Sequence, residues 1–147
     1  KGRVAASGDL FEVVSRVDVP MLSGRNAGVV LWATPVDHED GLTKFDFGDG
    51  DIWAPGEFET GRSPMRLRIS ARDVSIARER PAQTTILNVL RAVVEEIHTV
   101  DKAVALLRLG VGNQVVLAQV TNRSVRRLDL KPGERVFAQV KSVTVRH

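Results

Sequence analysis

A chain of 147 residues with 43% hydrophobic and 27% charged residues has the composition of a water-soluble globular protein, with enough apolar material for one sizeable core or two small ones. It contains no cysteine, which excludes disulfides and thiolate metal sites, and no apolar run near the length of a membrane span. The formal net charge of +3 suits an anionic ligand, but the arginines are scattered and only five Phe and two Trp offer stacking faces, so the nucleic-acid signal is weak.

In chain order, Lys1–Ala6 reads as a short strand and Gly8–Arg16 as a short amphipathic helix, with Asp9 and Glu12 at capping-box spacing. Pro20 and Gly24 then punctuate the chain, and residues 1–23 carry too little apolar surface to fold alone. From Asn26 the chain reads as strands and repeats itself. Phe47-Gly48-Asp49-Gly50 answers Leu109-Gly110-Val111-Gly112, each a hairpin between strand-like runs. Leu67–Ile76 answers Val136–Val145, and the second copy is longer, with its extra length at Asn122–Leu130. The fold class expected is mainly β: two tandem small β-barrel units, a short N-terminal helix and a short helix in the second unit. The expected division is an arm over 1–23, a first unit over 24–80 and a second over 81–147.

Between the copies, Pro81–Thr84 reads as a linker. A turn at Thr85–Asn88 precedes a long strand, because β-branched residues crowd Val89–Ile97. The last third holds two strand runs, Val115–Val120 and Val136–Val145, around a helical segment at Val125–Leu130. On the final run Val136, Ala138 and Val140 face one way and Phe137, Gln139 and Lys141 the other, which puts Lys141-Ser142 inside an apolar strand. Thr121 and Ser124 fall where the preceding strand gives way to helix. One cation and three hydroxyls, with no carboxylate immediately beside Lys141, suit a small tetrahedral oxyanion better than a metal. Each has a plainer role open to it: Thr121 and Ser124 as helix caps, Thr85 and Asn88 as turn formers, Lys141 as an exposed strand lysine. His38, His98 and His147 have no metal-ligand spacing and read as surface residues, and Asp37, Glu39 and Asp40 read as a solvated acidic tip.

The stretches TTILNVL, AVVEEI and LLRLGVGNQVVLAQVTNRSVRRLDLKPGERVFAQVKSV resemble the molybdate-binding molbindin, or TOBE-type, domain. GRVAASGDLFEVVSR and RLRISARDVSIARERP are similar to the group in which this domain follows the ATPase domain of molybdate ABC importers. The resemblance implies an OB-like fold, a molybdate or tungstate ligand with sulfate as competitor, no cofactor, and no metal site. It implies a homodimer and, in a full-length parent, transmembrane permease partners and a cytoplasmic place at the inner membrane. It also carries roles to matching residues. Thr85 and Asn88 take the first and last places of the family's S-x-R-N turn, Thr121 and Ser124 its T-x-x-S element, and Lys141 and Ser142 its K-S element. Leu87 stands in the arginine place, which removes a charge-assisted contact typically worth about 1.5–3 kcal/mol. Arg72-Asp73 stands at the first copy's K-S place, where an aspartate repels a dianion, so any first-copy site is expected to be degenerate.

No G-x-x-x-x-G-K-[ST] loop, G-x-S-x-G elbow or metal triad occurs, so no catalytic centre is expected in this chain. The reading is a regulatory oxyanion-binding and dimerising module. Its rivals are a structural dimer brace with a decayed site and an OB-type nucleic-acid barrel using Trp32, Phe45, Phe47 and Trp53.

Overall fold

The computed structural model describes residues 27–61 and 63–146. The arm expected over 1–23, its helix and His147 lie outside the described residues. Among the described residues ten strands form two five-stranded antiparallel sheets: β1 Gly28–Glu39, β2 Leu42–Asp46, β3 Asp51–Pro55, β4 Met65–Ser70, β5 Val74–Ala77, β6 Asn88–Thr99, β7 Val104–Val111, β8 Gln114–Thr121, β9 Arg135–Val140 and β10 Thr144–Arg146. A 3-10 turn, Ala71–Asp73, joins β4 to β5, and a helix, α1 Asn122–Arg127, follows β8. The fold is mainly β, as the periodicity requires.

Each sheet is built on one 12-residue strand, well beyond the usual five or six, because that strand serves two partners in succession. The first half of β1 pairs with β4 and its second half with β2; β6 pairs in the same way with β9 and then β7. A bulge past the midpoint of each, at Val36 and at Glu95, turns the strand between its partners. The bulge in β6 also brings Glu95 and Glu96 together on Arg108, at 3.2 and 3.1 Å. The end strands approach each other, β5 to β8 and β10 to β3, so both sheets curl.

Sheet order does not follow the repeat boundary. The first sheet runs β10-β4-β1-β2-β3 and the second β5-β9-β6-β7-β8. The last strand of each copy leaves its own sheet and closes the other, so the expected division at 80/81 separates chain segments rather than sheets. This exchange corrects the single strand expected over Val136–Val145. After Val140 the chain quits β9, crosses over 141–143, and pairs again as β10 against β4. Lys141 and Ser142 are therefore exposed in a crossover instead of lying within a strand. Across the junction the Lys141 N–H donates to the Asp73 carbonyl at 2.8 Å, so an aspartate, unforeseen by the sequence, is Lys141's backbone neighbour.

The core follows from the alternation. Val29, Leu31 and Ala33 of β1, Met65, Leu67 and Ile69 of β4, and Val136, Ala138 and Val140 of β9 are all buried. In β7 and β8 the alternation fails. Ala105, Leu106 and Leu107, and then Val115, Val116, Leu117 and Ala118, are buried in unbroken runs, because β8 also packs against β1, β4 and the 3-10 turn, and β7 against the helix. These two strands are buried on both faces, and each leucine so enclosed contributes roughly 1.5–3 kcal/mol. One continuous core thus joins the two sheets. Phe45 and Phe47 belong to it, whereas Trp32 is 52% exposed, so the four aromatics do not form one outward stacking platform.

Candidate oxyanion site

The turn before β6 and the crossover after β9 meet, because the first residue of β6, Asn88, pairs with the last of β9, Val140. Between them lies a cavity of about 310 Å³, lined by Thr85, Leu87, Asn88, Lys141 and Ser142 from the second copy. Leu42, Trp53 and Pro55 of the β2–β3 hairpin supply its other wall. Four of the six residues expected at the site are thus brought together. Ile86 donates its N–H to the Thr84 hydroxyl at 3.1 Å, so Thr84 stabilises the turn and Thr85 is left to line the cavity.

Asn88 is buried, and its amide already has work. Its Oδ1 accepts from the Trp53 N–H and its Nδ2 donates to the Trp53 carbonyl, both at 2.8 Å. Trp53 lies on β3, the outer strand of the first sheet, whose edge otherwise lacks a backbone partner among the described strands. Asn88 fills that place with its side chain and fastens the two sheets at the cavity. One Nδ2 hydrogen remains for a ligand. The Lys141 ammonium is exposed and pairs with no described carboxylate. The cavity therefore offers one cation, two hydroxyls and one amide hydrogen against an apolar wall. Leu87, 63% exposed, occupies its rim where the family pattern has arginine.

Thr121 and Ser124 are elsewhere. Thr121 pairs with Val104 beside the Thr99 end of β6, whereas Asn88 begins that strand. The two groups stand at opposite ends of the second sheet. The helix begins earlier than the Val125–Leu130 expected, because Thr121 is its N-cap: the Thr121 hydroxyl accepts the Ser124 N–H at 3.1 Å. It also donates to the Ser124 hydroxyl at 3.0 Å. Arg72-Asp73, at the first copy's corresponding place, forms the 3-10 turn. His38 is exposed as expected, while His98 is half-buried. Among the described residues no group of three or more His, Cys, Asp or Glu stands together as a metal site.

The wall from Leu42, Trp53 and Pro55 was not legible in the sequence, since no local pattern reports which distant hairpin closes a cavity. Only Trp53 carried a signal, as one of the aromatics noted above.

Residues 84–146 match the model of the TOBE domain. The chain is 40% identical over 149 aligned positions to the molybdenum import ATP-binding protein ModC of Methylococcus capsulatus, covering 99% of this chain and 42% of that protein. It is 36% identical to ModC 1 of Azotobacter vinelandii, covering 99% of this chain and 41% of that one. The chain thus spans about two fifths of the length of these relatives. In fold it is similar to the crystal structure of the cytoplasmic molybdate-binding protein ModG with molybdate bound, with a TM-score of 0.72 and 21% identity over 84% of this chain and 96% of that one.

Proposed function

Because residues 84–146 belong to the TOBE-domain family, we propose that this chain is a regulatory module that binds a molybdate-class oxyanion and dimerises, within an ATP-binding subunit of a molybdate importer. The observation carrying this reading is the convergence of Thr85, Asn88, Lys141 and Ser142 on one cavity. All four present hydrogen-bond donors, and the only charge among them is positive. A tetrahedral dianion needs donors around its oxygens and one cation nearby, and it needs no acid or base.

Thr121 and Ser124 enter this reading through a second copy. Their hydroxyls cannot reach the cavity of their own chain from the far end of β6, so a partner subunit presents them and the site is shared between copies. Residues 24–80 and 81–147 are read as the two units that such a dimer pairs, with any first-copy site degenerate. The ATPase activity and the membrane permease partners belong, in this proposal, to the longer protein, which works at the cytoplasmic face of the inner membrane.

Calorimetric titration of the chain with molybdate, tungstate and sulfate tests the reading. Saturable molybdate binding at one site per subunit supports it; absence of binding to all three anions overturns it. The second reading, a structural brace whose ligand site has decayed, is favoured by two observations. Leu87 holds the rim position of the missing guanidinium, while Asn88 spends both ends of its amide on Trp53.

A further inference from the structure

A second concavity, of about 510 Å³, opens on the outer face of the second sheet, away from the oxyanion cavity. Its floor is Val93 and Phe137, and its rim is Arg78, Arg91 and Arg135. The pleat places these residues there: Arg91 is opposite Phe137 and Val93 opposite Arg135, while Leu90, Ala92 and Val94 point into the core. Val93 is 39% exposed, unusual for a large aliphatic. Arg80 lies over the Phe137 ring at 5.1 Å and adds a fourth guanidinium. Arg78 is engaged, donating to the Leu128 and Asp129 carbonyls at 2.7 and 2.8 Å and to Glu134 at 2.6 Å. Arg91 and Arg135 have no ion pair with a described residue.

The complementary surface is on the same chain but points away. The β1–β2 hairpin ends in Val36, Asp37, Glu39 and Asp40, all exposed, with Val36 at 45%. The loop after β3 lies beside it, held by hydrogen bonds from the Gly56 N–H to the Gly41 carbonyl and from the Gly61 N–H to the Pro35 carbonyl, and adds Glu57 and Glu59. Lys44, opposite Asp37, is paired with Asp51 at 3.5 Å. In one chain this tip cannot enter the groove. The other end of the β2–β3 hairpin, at Asp49, contacts the Gly112-Asn113 turn that borders the groove, and the acidic tip projects in the opposite direction.

We propose that the arginine-rimmed groove receives the acidic β1–β2 tip of a second copy of this chain, with Val36 against Val93 and Phe137, and Asp37 and Glu39 against Arg91 and Arg135. Made reciprocally about a two-fold axis, the contact leaves no open end. It joins an apolar centre to a charged rim, the composition by which interfaces gain both affinity and register. It also has a consequence for the oxyanion site, resting on the function proposed above. Leu42, which pairs with Glu39 in the acidic tip, and Pro55, which pairs with Leu42, line that cavity. Arg78 ties the groove to the residues just after α1, and α1 carries Ser124 and is capped by Thr121. Seating the tip in the groove therefore carries the cavity of one copy towards the hydroxyls of the other.

The experiment is sedimentation velocity on the whole chain, on Arg91→Glu/Arg135→Glu, on Asp37→Lys/Glu39→Lys, and on an equimolar mixture of the two variants. The wild type should dimerise, more weakly as salt is raised. Each variant alone should lose at least about tenfold in dimer affinity. The mixture should recover to within about threefold of wild type, because in the mixed dimer one contact is that of the wild type and the other is restored with its signs exchanged. Recovery in the mixture also shows that both variants fold. A monomeric wild type, a variant that dimerises like wild type, or a mixture no tighter than its components overturns the proposal. A dimer that obeys the charge exchange but binds no molybdate overturns the proposed function and leaves this contact standing. A molybdate-binding dimer indifferent to the exchange does the reverse.

Discussion

The carboxylate of Asp49 accepts the backbone N–H of Asn113 at 2.9 Å, so the tip of the first repeat's hairpin is fastened to the tip of the second's. The two Gly-x-Gly turns that match each other in sequence also touch in space. Gly112, with φ +62, has the Asp49 side chain packed where a Cβ would be. Gly48, on the facing hairpin, has φ +99 and open space around it.

Gly112→Ala should therefore cost more than Gly48→Ala. Both pay the left-handed backbone penalty, roughly 1–2 kcal/mol, but only the former displaces Asp49 and its hydrogen bond. Urea unfolding of the two variants measures the difference. In the background of Asp49→Gly, which removes the whole side chain, the excess cost at Gly112 should largely vanish; an excess that persists would place its origin elsewhere.

Asn88→Ala should destabilise the chain by about 2 kcal/mol, since it leaves the Trp53 N–H and carbonyl without partners at the junction of the sheets. Asn88→Asp should not rescue it: the acceptor for the Trp53 N–H survives, but a carboxylate then faces the Trp53 carbonyl. Thermal unfolding followed by circular dichroism is the check. Wild-type stability in both variants would show that the clamp contributes nothing.

Lys141→Ala should weaken molybdate binding strongly, because it removes the only cation among the described residues that line the cavity. Being exposed, Lys141 should be replaceable with little change in stability. Leu87→Arg should tighten binding by about tenfold or more, which is 1.4 kcal/mol, by restoring a guanidinium at the rim. Calorimetry on both variants decides. Unchanged affinity in Lys141→Ala would favour the structural brace.

A site shared between copies makes a stoichiometric prediction. Lys141→Ala and Thr121→Ala/Ser124→Ala should each bind molybdate poorly as pure dimers. Mixed and allowed to exchange, they should regain about a quarter of the wild-type sites, since half the dimers are mixed and each of those holds one intact site. Equilibrium dialysis reads the count. Recovery of no sites in a mixture shown to exchange would place the whole site within one chain. Loss of the Thr121 cap should separately cost about 1 kcal/mol of stability.

The sequence by itself determined what depends on neighbours along the chain. The alternation of Val136, Ala138 and Val140 fixed the buried face of β9, and the crowding of β-branched residues after Asn88 fixed the long strand β6. The paired Gly-x-Gly turns disclosed the repeat, and the T-x-x-S and K-S elements pointed to an oxyanion before any geometry was known. What the tertiary structure decided depends on partners that alternation cannot name. Side-chain period states which face of a strand is buried, and says nothing about which sheet the strand joins. The exchange of β5 and β10 therefore went unseen, and with it the exposure of Lys141 in a crossover. The unbroken apolar run of β8 likewise acquires its reason only from the first sheet packed against it. Asn88 had the residue type of a ligand, yet its amide was claimed by an edge strand 35 residues away in the chain. The separation of Thr121 from Lys141 follows from strand register alone, which is a property of pairing between distant segments.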